Sequence, residues 1–388
     1  MRPLKPDASL GFWQRLERWL HRPSTGDAFL PVVDGWRCVA ILSVVLYHLN
    51  DYLVTKTHRQ GEADWLSQLL SQGYLGVPLF FALSGFIIAR PFLAGTAPGV
   101  RRYFMRRLRR LEPPYLINLI LIYLLLVIVL GQDAGELLPH LLASAAYLHH
   151  VIFGGASKVN FVAWSLEVEF QFYVLAPLLF AALGPWGAWP RRMALILLVL
   201  LGGWANQSEA LDRSWAGLTL LRYGGFFAAG VLAADVFVRA WGQRVDRPSL
   251  LGDAWVLAGF SLMTLSVVRP YIFAPLLPAS ILAMLLGSLR ALWISKLLSM
   301  RPVYLIGGMC YTLYLYHFYV ISAVGRWVLS WLTADRPLWL NLLTLIVCVV
   351  PAVLAAGTLL FVWIEKPFMG RRPEKLPGRM APARGGAP

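Results

Sequence analysis

Residues 340–363 read LNLLTLIVCVVPAVLAAGTLLFVW, a run without one charged side chain. As a helix it would extend about 36 Å at 1.5 Å per residue, enough to cross a hydrocarbon core of about 30 Å. A second run, Leu116 to Leu130 (LINLILIYLLLVIVL), has the same character. Both are continuously apolar. The strands of a membrane barrel would instead alternate over about 10 residues. Lipid offers no partner to a bare peptide group, so a chain that crosses it must be helical or a closed barrel. The reading is an all-α, polytopic integral membrane protein. Composition agrees: of 388 residues 58% are hydrophobic and 14% charged, against about 25% charged in soluble domains, and the mean hydropathy is +0.61.

Working outward from these runs, about ten spans are predicted, at 34–53, 70–92, 113–131, 162–183, 193–206, 216–238, 251–268, 271–292, 303–332 and 339–363. The stretch 137–153 is apolar but short and interrupted by His149 and His150, which reads as re-entrant or interfacial. The basic run before residue 113 reads as a loop. With the N-terminus placed in the cytoplasm, 26 Lys and Arg fall on the cytoplasmic side and 6 on the other, and Arg37, Arg222 and Arg326 lie within spans. That is the positive-inside asymmetry, and it puts both termini in the cytoplasm. It also accounts for the net charge of +15 without a nucleic-acid partner. Residues 1–29 read as a cytoplasmic segment, 30–368 as the transmembrane domain, and 369–388 as a disordered basic tail. The start lacks a signal-peptide pattern, so the first span is expected to stay. Cys38, Cys310 and Cys348 all sit in apolar segments, with neither a disulfide framework nor zinc-ligand spacing.

Ionisable groups inside a membrane are costly and are functional candidates. Asp34 and Arg37 stand at i,i+3 on the first span, where they can pair; the pair could equally serve only to anchor the helix at the interface. His48 lies eleven residues beyond Arg37, on the same face and about 16 Å further along the axis. It suits a general base near neutral pH, or a hydrogen-bonded interfacial histidine. On the fourth span Ser165, Glu169 and Tyr173 share one face, while Glu167 and Gln171 share another. The two glutamates are therefore no catalytic pair of the glycosidase kind. Arg101, Arg102, Arg106, Arg107, Arg109 and Arg110 crowd into ten residues, either as topogenic anchors or as a clamp on phosphate oxygens. The small residues and Ser84 of GVPLFFALSG (76–85) permit close helix packing or passage of a thin chain. His317, in Tyr314-Leu315-Tyr316-His317, reads as structural or as support for the site.

Together these stretches resemble the acyltransferase-3 family of membrane O-acyltransferases. The likeness is carried by Asp34-Gly35-Trp36-Arg37 through Tyr47-His48, by Gly76 to Phe86, and by Arg106 to Arg110 with Pro113 and Tyr115. It continues in Trp164-Ser165-Leu166 with Glu169 and Gln171-Phe172-Tyr173, in Tyr314 to His317, and in Ile364-Glu365-Lys366-Pro367. It spans residues 30–368. Cys38 stands where glycine is usual, Phe170 where a second glutamate is common, and Cys310 where serine is common, so no role is given to position 170. Some relatives carry a fused extracytoplasmic hydrolase-like domain, which the short tail here is not expected to hold.

The resemblance implies transfer of an acyl group, most often acetyl, from cytoplasmic acyl-coenzyme A to a hydroxyl of a carbohydrate-like acceptor, in the cytoplasmic (inner) membrane. It implies His48 as the base, Arg37 in charge balance with Asp34 orienting it, and Glu169 in the reaction centre. Arg107 and Arg110 would meet coenzyme A phosphates. Ser84, Trp164, Tyr173 and His317 would line the substrate site. Acyl-coenzyme A is the donor substrate; no tightly bound cofactor and no metal is implied, and the partners are donor, carbohydrate or glycolipid acceptor and lipid. The competing readings are a transporter or flippase, with His48 and Arg37 as a relay, and a polysaccharide polymerase. The first commonly shows inverted repeats and the second a large extracytoplasmic loop; neither is evident in the sequence.

Overall fold

The apolar runs become helices along the whole chain. The computed structural model describes residues 16–17, 19–20, 29–62, 64–242, 248–333 and 335–369. Among these the single β feature is an isolated bridge between Ser249 and Ala291. The expected tail after residue 369, and most of the expected N-terminal segment, lie outside the described residues. The main helices are α1 (Pro31–Lys56), α2 (Trp65–Ser71), α3 (Gly76–Leu93), α4 (Val100–Leu124), α5 (Ala134–Ala145), α6 (His149–Phe153) and α7 (Trp164–Leu183). They continue with α8 (Ala188–Gln207), α9 (Leu220–Asp235), α10 (Leu250–Val268), α11 (Leu277–Ser288), α12 (Arg301–Gly308), α13 (Cys310–Val328) and α14 (Leu338–Leu360). Single π-turns, Leu125–Val129, Val236–Ala240 and Phe361–Glu365, prolong α4, α9 and α14.

Nine helices among the described residues are long and apolar enough to cross a membrane. The remaining expected span, 303–332, departs from the reading. It breaks at Met309 into α12 and α13, and its polar Tyr311, Thr312, Tyr314, Tyr316 and His317 lower its apolarity. It nevertheless covers the depth of α1. Gly307 abuts the backbone of Asp34, and Gly325 abuts the ring of Tyr52. The break-and-helix therefore runs parallel to α1 from one end to the other. α14 then returns, with Asn341 donating to the Thr333 carbonyl at 3.0 Å and Thr312 donating to Glu365 at 2.6 Å. The first residues of α1 and the last of α14 thus lie at the same end of the bundle.

The packing uses small residues where backbones meet, as expected in lipid, where apolar area alone gives no preference for helix over lipid. A Cβ on Gly230 of α9 would stand 1.9 Å from the Ala82 carbonyl oxygen of α3, and one on Gly307 of α12 would stand 1.7 Å from that of Asp34. These contacts draw α3 against α9 and α12 against α1.

One boundary differs from the expectation, and one stretch gains a definite form, in ways that bear on the site. The basic run is no loop: α4 begins at Val100, and the arginines occupy its first three turns, with Pro113 and Pro114 inside the helix. The prolines mimic a helix start, because proline suits the first helical turn. Here they only deprive the carbonyls of Arg109 and Arg110 of their usual intrahelical donors. The stretch 137–153 is a helical hairpin. α5 runs back along α4, with Tyr123 donating to the Ala134 carbonyl at 3.0 Å and Tyr115 to the Ser144 carbonyl at 3.1 Å. The chain then reverses at Tyr147, whose φ is 57°.

Candidate active site

Helical periodicity selects which arginines of α4 face inward. Arg101, Arg102, Arg106 and Arg109 are exposed, while Arg107 and Arg110, one turn apart, are half-buried. The Arg107 guanidinium lies over the Tyr173 ring, 5.5 Å from its centroid, a cation–π arrangement. On α1 the Arg37 guanidinium donates to Asp34 at 2.8 Å. Asp34 is buried, so this pair leaves little uncompensated charge in an apolar surrounding. On α3 the Ser84 hydroxyl donates to the Glu169 carboxylate of α7.

These side chains converge. Arg37, Ser84, Arg107, Arg110, Glu169 and Tyr173 line one cavity of about 80 Å³ between α1, α3, α4, α7 and α13. An adjoining void shares Arg107, Glu169 and Tyr173 with it. The arginines stand six to ten residues into helices that start at the same end, so the cavity lies about 10–15 Å inside that end. Asp34 and Glu169 stand among the three guanidiniums, and the buried Glu365 interacts electrostatically with Arg110, so each guanidinium has a carboxylate nearby. Such an arginine-lined pocket in an apolar bundle can hold an anionic group while a thin chain passes deeper.

His48 is elsewhere. It lies near the far end of α1, and its ring contacts Tyr47, Phe161, His317 and Phe318, at 4.9, 5.5, 5.2 and 5.8 Å between centroids. His317 is buried. Its Nδ1 is 2.7 Å from the Tyr314 carbonyl oxygen. A carbonyl can only accept, so Nδ1 carries the proton and Nε2 is left as a base. Nε2 is buried without a hydrogen-bond partner. Tyr314 connects the two regions: it lines the basic cavity, its ring is 5.7 Å from that of His317, and its hydroxyl accepts from Ser165 at 2.8 Å and donates to the Val162 carbonyl at 2.8 Å.

Of the residues singled out in the sequence, Arg37, Ser84, Glu169, Arg107, Arg110 and Tyr173 therefore meet in one cavity. Asp34 acts on it through Arg37. His48 and His317 meet each other. Trp164 is outside the cavity lining, with its ring against Phe81 and Tyr223, at 6.2 and 5.2 Å. Glu167 accepts from the His150 backbone at 3.0 Å and so ties down the hairpin. Phe170 stacks on Tyr147 with 4.4 Å between centroids and 6° between planes. The sequence reading gave no site role to Cys310, Tyr311 or Tyr314, although all three line the cavity. Their signal was the i, i+1, i+4 spacing on the helix that also carries His317.

Residues 30–362 match the family described as "Acyltransferase domain", acyltransferase 3. The chain belongs to the acyltransferase-3 family. It is similar to the peptidoglycan O-acetyltransferase OatA of Listeria monocytogenes, at 26% identity over 336 residues, 76% of this chain and 50% of that protein. It is also similar to nodulation protein 10 of Rhizobium leguminosarum bv. viciae, at 26% identity over 387 residues, 90% of this chain and 96% of that protein. A putative O-acetyltransferase of Staphylococcus aureus matches at 26% identity over 169 residues, 40% of this chain and 25% of that protein. The chain thus spans about half the length of the Listeria relative and nearly all of the Rhizobium one. No solved structure matches.

Proposed function

We propose that this chain is a membrane O-acyltransferase that moves an acetyl group from cytoplasmic acyl-coenzyme A to a hydroxyl of a cell-surface or exported carbohydrate-like acceptor. The observation that carries the reading is the basic cavity, in which Arg37, Arg107 and Arg110 converge with His48 further along the same helix as Arg37. Arginine forks hold phosphate oxygens bidentately, and the donor presents several phosphates at one end of a long, thin arm. The surplus of basic residues beside the cavity supports assigning that end, and both termini, to the cytoplasm. The printed name of the Listeria relative supports a carbohydrate polymer as the acceptor class.

In this reading phosphates bind at Arg107 and Arg110, the pantetheine arm passes Ser84, Glu169 and Tyr314, and the thioester reaches His48. The neutral imidazole of His48 takes the acceptor hydroxyl proton as the oxygen attacks the thioester carbon. The carbon–sulfur bond then breaks, and the proton held on His48 passes to the departing sulfur. Acetyl ester and free coenzyme A are the products, and His48 returns to its neutral form. His48 and Arg37 are about 16 Å apart along the helix, so Arg37 holds the donor and takes no part in the proton transfer.

The test is full-length protein in proteoliposomes with acetyl-labelled acetyl-coenzyme A on the side of the termini. Label should leave the donor, by hydrolysis or by transfer to added saccharide, and His48→Gln should stop it. Reporter fusions after Arg102 and Arg372 should read cytoplasmic, and one near Arg59 extracytoplasmic. Donor turnover equal in wild type and His48→Gln overturns the assignment.

A further inference from the structure

A second basic pocket lies at the same end of the bundle, apart from the cavity just described. Its volume is about 280 Å³, and Arg191 of α8 and Arg239, on the π-turn that ends α9, both line it. Asp235 is fully buried beside them. Its two oxygens accept from Arg191 Nε and Arg192 Nε, each at 2.7 Å. Asp235 thus joins two guanidiniums, and Arg239 adds a third positive charge to the pocket. The rest of the lining is apolar, with Phe92, Leu93, Phe180, Leu183, Leu195 and Val231 forming the walls. Trp186, just before α8, and Trp189, in its first turn, are exposed, as expected of an aromatic belt at headgroup depth.

We propose that this pocket binds an anionic phospholipid of the same leaflet, with its phosphate at Arg239 and Arg191 and an acyl chain in the cleft between α7 and α8. Charge complementarity points to the headgroup, since basic pockets between transmembrane helices on this side suit anionic lipids. The walls decide the source of the phosphate. Apart from the two arginines they offer no donor or acceptor to a nucleotide base, so a free coenzyme fits poorly and a hydrocarbon tail fits well. Arg239 is exposed at the rim, whereas Arg191 and Arg192 are already held by Asp235, so Arg239 sets the affinity for the incoming anion. The proposal does not depend on the acyl-transfer reading.

Full-length protein in detergent would be titrated with phosphatidylglycerol, phosphatidylcholine, coenzyme A or inorganic phosphate, following the thermal midpoint. Lipid retained through purification would be counted by mass spectrometry. Phosphatidylglycerol alone should raise the midpoint and be retained. Arg239→Ala should weaken it about fivefold, the factor for one surface cation worth about 1 kcal/mol, and Arg239→Lys should largely restore it. Ala181→Phe, which fills the exposed rim of the cleft, should block retention without lowering the lipid-free midpoint. An equal shift with phosphatidylcholine, or unchanged retention in both Arg239→Ala and Ala181→Phe, overturns the proposal. So does a shift reproduced by coenzyme A or phosphate, which would make this a soluble-phosphate site.

Discussion

The rings of His48 and His317 lie 5.2 Å apart, centroid to centroid, on helices that run in the same direction through the bundle. The proton on His317 is fixed at Nδ1 by the Tyr314 carbonyl, so the two imidazoles are not equivalent. Only His48 is free to choose its tautomer.

A first prediction follows from that asymmetry. His48→Gln should insert and bind donor normally but lose about 10²–10⁴ in acyl transfer, the usual cost of removing a general base. His317→Asn keeps a donor for the Tyr314 carbonyl while deleting the Nε2 base. It should fold with a wild-type thermal midpoint and lose most activity. Full activity in His317→Asn would reduce His317 to a backbone tether. Full activity in His48→Gln would remove the base itself.

The second prediction separates the inward arginines of α4 from the outward ones. Arg107→Ala and Arg110→Ala should each raise KM for acetyl-coenzyme A about 10- to 100-fold, the range of a lost charge-assisted hydrogen bond of about 1.5–3 kcal/mol. Arg106→Ala and Arg109→Ala remove the same charge from the exposed face and should leave KM within about twofold, since single surface charges contribute little. Equal effects at all four positions would point to general electrostatic attraction.

Ser84 and Glu169 join α3 to α7 across the cavity. Glu169→Gln should lower kcat/KM about 10- to 100-fold. Ser84→Ala in the same background should add almost nothing, because contacting partners are non-additive. The measurement is a double-mutant cycle on kcat/KM, and strict additivity would show that the two side chains act separately.

The fourth prediction contrasts neighbouring glycines. A Cβ on Gly307 would meet the Asp34 carbonyl oxygen at 1.7 Å, while one on Gly308 has nothing within 4 Å. Gly307→Ala should cost about 1–3 kcal/mol of overpacking and lower activity by displacing Asp34 and Arg37. Gly308→Ala should be neutral or slightly stabilising, as alanine is the better helix former. Thermal midpoint and donor turnover report both.

The membrane fold was legible because nearly every crossing announces itself as an apolar run. The exception, the 303–332 span, is polar for a reason: Tyr311 and Tyr314 line the cavity and His317 meets His48, which lowers its apolarity. The apolar run starts after the arginines, at about residue 113, and only tertiary packing shows that the helix itself begins at Val100. Arg37 and Glu169 are readable as costly charges in lipid, whereas Arg107 is readable only as one of a basic run that anchors the chain or clamps phosphate. Their meeting point is not legible, because spacing along one helix says nothing about which neighbours a bundle brings together. For the same reason the spacing of Tyr314 does not show that it joins the basic cavity to the histidine pair.

The parallel course of α1 and α13 also has a bearing on biogenesis. His48 leaves the ribosome with the first helix, and His317 with the last but one. At about 5–20 residues per second, the interval between them is on the order of tens of seconds. Until then the His48 imidazole lacks the His317 ring, and the basic cavity lacks its α13 wall. A nascent chain halted anywhere in that window would be inserted but inert. Residues up to His317, of 388, would be made before any donor could be consumed.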